Sequence, residues 1–202
     1  MQARRGFLAI WAGIALLVLA VAPAIADADA DYLALMAAAK ADPNFIDYRA
    51  LRAAYAASHF YKGYASDPAI LRVPNSNASE AEVRKFVDNN FPIMGTPGLA
   101  FSKLKPAPGS PEADFYRKAS GKLFEVIATS GNGKSAATAF KVLAVSEEYD
   151  LCATLGVKVL RQRVVNQDGR VYDVLEVTFP DGQGPVPIWF DASPFFGTEL
   201  AK

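Results

Sequence analysis

The chain is poor in the residues that build metal centres and covalent staples: Cys152 is its only cysteine and His59 its only histidine in 202 residues. A single thiol cannot close an internal disulfide, so core packing has to hold the fold. One imidazole excludes any centre that needs two histidine ligands, and a Ser-His-Asp arrangement would have to recruit His59 from an aromatic loop. No metal site and no cofactor is expected. Neither sign of charge is in excess, since 21 Lys and Arg balance 21 Asp and Glu. Such a chain has no basic field with which to hold nucleic acid. Apolar residues make up 51% of the composition, which argues against disorder.

What is present begins with an address. Arg4 and Arg5 precede an apolar run from Phe7 to Val21, and Ala24-Ile25-Ala26 follows before Asp27. This order reads as an export signal cleaved after Ala26. The run falls short of the roughly 20 residues that cross a bilayer as a helix, so no stable membrane span is expected after cleavage. Cleavage removes two arginines and no acid, moving the formal charge from zero to minus two. No cysteine follows the run, which speaks against a lipid anchor. Arg4-Arg5-Gly6-Phe7-Leu8 fits the core of a twin-arginine signal, but the flanking Ser and Lys of that pattern are absent, which favours export of the unfolded chain. The expected location is the periplasm or the exterior.

The rest of the chain reads as an α+β protein: an N-terminal helical layer packed with a C-terminal, mainly antiparallel sheet of four strands that carries one helix. The expected segments are a signal over 1–26, a helical region over 27–130 with an irregular Pro- and Gly-rich stretch at 66–110, and a sheet region over 131–202, forming one compact unit. A first helix is predicted over 31–40, with Leu33, Met36 and Ala37 on its packed face. Asp47 stands where an N-cap belongs, before Tyr48, Leu51, Arg52 and Tyr55 at helical spacing. Ser79 and Glu82 have the capping-box spacing for a helix to about Asn90. Five prolines and three glycines from Phe91 to Pro111 predict a long irregular loop. Ser110-Pro111-Glu112 then opens the clearest helix, with Phe115, Leu123, Phe124 and Ile127 as its stripe. After Gly131 the period changes. A strand is predicted over 138–145, a helix capped by Ser146, a strand over 157–165, a turn at Asn166-Gln167-Asp168-Gly169, a strand over 170–179 and a short strand over 186–191.

The residues Asp47-Tyr48-x-x-Leu51-Arg52-x-x-Tyr55, then Tyr61 and Tyr64, then Ser130-Gly131-x-Gly133-x-Ser135-x-x-Thr138-Ala139-Phe140-x-Val142 and Glu147-Glu148-Tyr149, together resemble an uncharacterised exported bacterial domain-of-unknown-function family. The resemblance implies tetratricopeptide-like helices followed by a small sheet domain. The chain departs from the family across 66–110, where a helix pair is expected, and at Asn132, where members tend to carry Asp. No activity is established for the family, so the resemblance implies fold, export and segment boundaries, not a mechanism.

Ala128 to Ser135 also satisfies a relaxed phosphate-loop pattern. Helical spacing before it and strand character after it favour a helix C-cap and a Gly-rich turn instead. Candidate chemistry is thin. No catalytic residue is assigned; the candidates are Glu147, Glu148 and Asp191, which would matter if Asp173 or Asp191 approached the two glutamates as a carboxylate pair. Arg52 is expected to pair with Glu148 and dock the two regions. The candidate binding residues are Tyr61, Tyr64, His59 and Arg52, on or beside the aromatic segment 60–64, which could offer a surface to an envelope protein or peptide. The leading expectation is therefore a non-enzymatic interaction or accessory protein of the cell envelope. The alternatives are a hydrolase of envelope or extracellular polymer using paired carboxylates, and a small-ligand carrier.

Overall fold

The computed structural model describes residues 27–42, 44, 46–63, 73 and 76–196. The signal segment and Tyr64 lie outside the described residues. The architecture is α+β, as the pattern predicts. Helices dominate the front, and a four-stranded sheet with the order β1-β4-β3-β2 closes the back.

Residues 27–41 are helical (α1) and bury Tyr32, Met36 and Ala39, a face rotated away from Leu33, which is exposed. Helix α2, Tyr48–Ala57, starts where the sequence places it: the Asp47 side chain accepts from the N–H groups of Arg49 and Ala50. Its buried stripe is Tyr48, Leu51, Arg52 and Tyr55. Helix α3, Glu80–Asn90, opens on a complete capping box between Ser79 and Glu82.

The stretch predicted as a loop contains a helix. Gly95–Leu104 forms α4, packed between α3 and α5, and ends at Lys105 in the left-handed conformation. Gly95, Pro97 and Gly98 resemble breakers, but all three sit in its first turn, where a proline gives up an N–H that has no intrahelical acceptor anyway. Helix α5, Pro111–Ala128, is capped by Ser110 and buries Ala113, Tyr116, Ala119, Leu123 and Ile127. Phe115 lies at the margin of that stripe and stacks on Phe91 with ring centroids 5.2 Å apart.

The predicted strand over 138–145 shrinks to Phe140–Lys141 (β1), preceded by a 3-10 turn over Ala136–Thr138. Helix α6, Val145–Thr154, begins one residue before the predicted cap at Ser146, with Ala144 at the N-cap and no side-chain cap. Strands β2 (Lys158–Gln167), β3 (Arg170–Thr178) and β4 (Val186–Asp191) form the expected antiparallel meander, and β1 adds to β4 in parallel. A short helix α7, Ser193–Phe196, follows. Central β3 is buried on both faces, whereas β2 is exposed along nearly its whole length.

The Gly-rich turn is a structural device. The N–H groups of Asn132 and Gly133 both donate to the Thr138 carbonyl, so they cannot cradle a phosphate. A side chain at Gly131 would collide with the Thr138 and Ala139 carbonyls, and Gly133 has a positive φ of 67° against the Phe140 ring.

Replacing Asp47 by Ala leaves two N–H groups of α2 without their acceptor and is expected to cost about 1 kcal/mol. The denaturant midpoint measures it; an unchanged midpoint would mean that α2 is held by its packed face alone.

Candidate functional site

Helix α6 carries Glu147, Glu148 and Asp150 within one turn. Successive helical residues point about 100° apart, so these three carboxyl groups leave the helix toward different neighbours. Glu147 and Glu148 are both fully buried.

Glu147 faces the helices. Its Oε1 accepts from Arg52 Nη1 at 2.5 Å and from the Met94 N–H at 2.8 Å; its Oε2 accepts from Arg52 Nη2 at 2.9 Å and from the Leu143 N–H at 2.7 Å. Arg52 Nη1 also donates to the Pro92 carbonyl at 2.8 Å. Arg52 therefore docks the helical region onto the sheet region, but through Glu147 and not the Glu148 expected from sequence. With four donors on its two oxygens, Glu147 is a structural anion.

Glu148 faces the sheet and meets Asp173 of β3, itself fully buried. None of their four oxygens has a hydrogen-bond partner with good geometry, each other included. Burial first, then the Asp173 charge, pushes Glu148 up to about 9. Burial also raises Asp173, with the nearby Gln162 and Glu148 side chains acting in the opposite sense. Two carboxyl groups enclosed side by side thus disfavour ionising both. Beside them burial pushes the Cys152 thiol up to about 11, with Glu148 as the lesser cause.

Asp191 does not join the glutamates. It pairs with Arg170 and accepts from the Ser193 N–H. The acids that converge are Glu148 and Asp173, and both are shut away from any substrate.

The aromatic segment turns inward. Tyr61 donates to the Leu143 carbonyl at 2.8 Å and packs edge-on against Tyr55. His59 contacts Asp29 through both its N–H and Nδ1, at 2.8 and 2.5 Å, and its ring lies 4.0 Å from that of Phe60. The His59 N–H, ahead of its ring, holds the Asp29 carboxyl below the usual range. Phe60 packs on Tyr32. Phe60 and Tyr61 are partly buried by these contacts, while the His59 ring stays exposed beside Asp29.

Sequence reasoning did not single out Asp150. It projects from α6 toward the start of α4, where a side chain at Gly95 would stand 2.3 Å from its Oδ2. Its spacing of three from Glu147 was the available signal; nothing in the sequence links it to Gly95.

Residues 104–199 match the model of a domain of unknown function, DUF4919. That segment takes in α5, the whole sheet, α6 and α7, with Glu147, Glu148, Asp150 and Asp173 inside it. Arg52, Tyr61 and His59 lie outside, so the Arg52–Glu147 pair ties the DUF4919 segment to the helices before it. No curated protein and no solved structure matches the chain.

Two outcomes test this arrangement. Arg52→Met strands a buried anion and is expected to cost about 3 to 5 kcal/mol in denaturant unfolding, with part of the loss recovered on adding Glu147→Leu. The Glu148 pair predicts a pH slope. Its folded pKa lies above the unfolded value, so the folded state retains a proton that the unfolded state releases, and stability falls as pH rises from about 4.5 toward 9. Thermal midpoints across that window should fall less steeply in Glu148→Gln than in the parent; parallel curves would show that another group sets the slope.

Proposed function

We propose that this protein is an exported, non-enzymatic interaction protein of the cell envelope that takes up an extended acidic segment of a partner along the free edge of β2. The observation that carries the reading is the strand itself. Ten residues long and last in the sheet order, β2 has no neighbour on its outer side among the described residues. An open strand edge offers a row of backbone donors and acceptors to a second chain.

Its side chains favour one kind of occupant. Lys158, Arg161 and Arg163 lie on β2, which has no acid. Arg161 is held by Glu176 at 2.7 and 2.9 Å, and Arg163 lies over the Trp189 ring at 5.7 Å. Lys158 has no ion-pair partner among the described residues. Pairing with a second copy through this edge would set like charges against each other, which is destabilising, whereas an acidic strand is complementary. Leu160 and Val164 are about half exposed and supply apolar contacts between the charges.

Export, and a tetratricopeptide-like character for the helices, belong to this proposal. Among the described residues no helix is long and apolar enough to cross a membrane, which is consistent with it. A catalytic reading gains no support from acids that are enclosed or fully paired.

The test is fluorescence anisotropy of a labelled alternating Val-Glu octapeptide, with a Val-Lys octapeptide as control and amide hydrogen exchange to locate the contact. Preferential binding of the acidic peptide, protection of β2 amides and at least a tenfold loss in Lys158→Glu/Arg163→Glu are expected. Binding without protection of β2, or indifferent to the charge reversal, would refute the strand-addition reading.

A further inference from the structure

A cavity of about 280 Å³ opens between α3, α4 and the start of α6. Phe86, Ile93, Leu99 and Ala144 form most of its wall, and Asp150 is the one charged residue that lines it. Its size lies just below the roughly 300 to 1,000 Å³ typical of ligand pockets, which fits only a small compound.

The placement of Asp150 is specific. Gly95 lets the carboxyl approach the backbone of α4, because any Cβ there would overlap it. No hydrogen-bond donor or cation of the described chain reaches its oxygens. Thr96, in the first turn of α4, donates its N–H to the Ile93 carbonyl instead, and Pro97 has none to give. The contrast with its neighbours is sharp: Glu147 has four donors and Glu148 is enclosed beside Asp173, while the partly buried Asp150 carboxyl has no protein partner and lines a mostly apolar space. Burial, with the nearby Glu147 charge as a lesser cause, raises its pKa, as a carboxylate lacking a partner should show.

We propose that this cavity is a binding site for a small organic ammonium compound, whose apolar body fills the space between Phe86, Ile93 and Leu99 and whose –NH₃⁺ group pairs with Asp150. An ammonium supplies the missing donors and opposite charge, and an apolar body of a few carbons covers the apolar part of the wall formed by Phe86, Ile93 and Leu99, beside the polar Asn90, Thr96 and Ser146. A carboxylate ligand would be repelled, and a neutral alcohol would gain the apolar contacts without the charge.

The probes are n-hexylamine, 1-hexanol and hexanoate, matched in chain length, titrated into the purified protein with calorimetry and with NMR shifts of residues 93–99 and 144–150. Hexylamine is expected to bind at least tenfold more tightly than hexanol, and hexanoate not at all. Asp150→Asn should remove the amine preference while leaving hexanol binding in place. Because that change could also loosen α4, Leu99→Trp provides a second variant that fills the cavity and keeps the carboxyl; it should abolish binding of both amine and alcohol. Equal binding of the three probes, an amine preference that survives Asp150→Asn, or no binding by any probe to the folded parent would each overturn the assignment. Failure here leaves the β2 reading untouched, since the two sites share no residue.

Discussion

A single buried anion organises the molecule. Glu147 gathers the Arg52 guanidinium from α2, the Met94 amide from the α3–α4 junction and the Leu143 amide from the β1–α6 junction. Three chain segments far apart in sequence thereby meet on two oxygen atoms. A buried ion pair of this kind is weak evidence for net stability, because desolvation of both charges offsets their attraction. Its effect is on specificity of arrangement. Any packing of α2 on α6 that misplaces Arg52 leaves a charge without a partner in the core, so alternative packings are penalised far more than the native one is favoured. Tyr61, bonded to the Leu143 carbonyl, adds a second tie at the same junction.

The neighbouring residue illustrates what sequence could and could not reveal. That Arg52 would dock the two regions was legible from its place on the Tyr48–Tyr55 stripe, but the choice between Glu147 and Glu148 depends on the rotation of α6 about its axis. That rotation is set by Leu151 and Cys152 packing inward and by a start at Val145 instead of after Ser146. The caps were legible because they are local: Asp47, Ser79 and Ser110 each close hydrogen bonds within four residues. Helix α4 was hidden because Gly95, Pro97 and Gly98 carry a breaker composition that the first turn of a helix tolerates. The aromatic segment misled in another way. Aromatic side chains next to glycine suggest a recognition surface, yet Phe60 and Tyr61 are spent on joining α1, α2 and the β1–α6 junction.

The candidate sites lie on opposite sides of this frame. Toward the sheet, the Glu148–Asp173 pair is an enclosed contact of two carboxyl groups between α6 and β3. Toward the helices, the partly buried Asp150 lines a cavity without a protein partner for its carboxyl. Along the outer edge, β2 carries cations held by Glu176 and Trp189 in an extended array. The interior acids were identifiable from sequence only as a cluster; their division into a clamp, an enclosed carboxyl pair and an open carboxylate follows from 100° steps along one helix.

The order of strands has a consequence for how the chain can be made. Strand β4 is the last of the four in sequence, yet it lies between β1 and β3, and its Trp189 N–H donates to the Gly133 carbonyl. Until residues 186–191 have left the ribosome, β1 has no strand to join and β2–β3 is an isolated hairpin, which on its own is marginal in water. The sheet is therefore completed by insertion at its centre, not by growth at its margin.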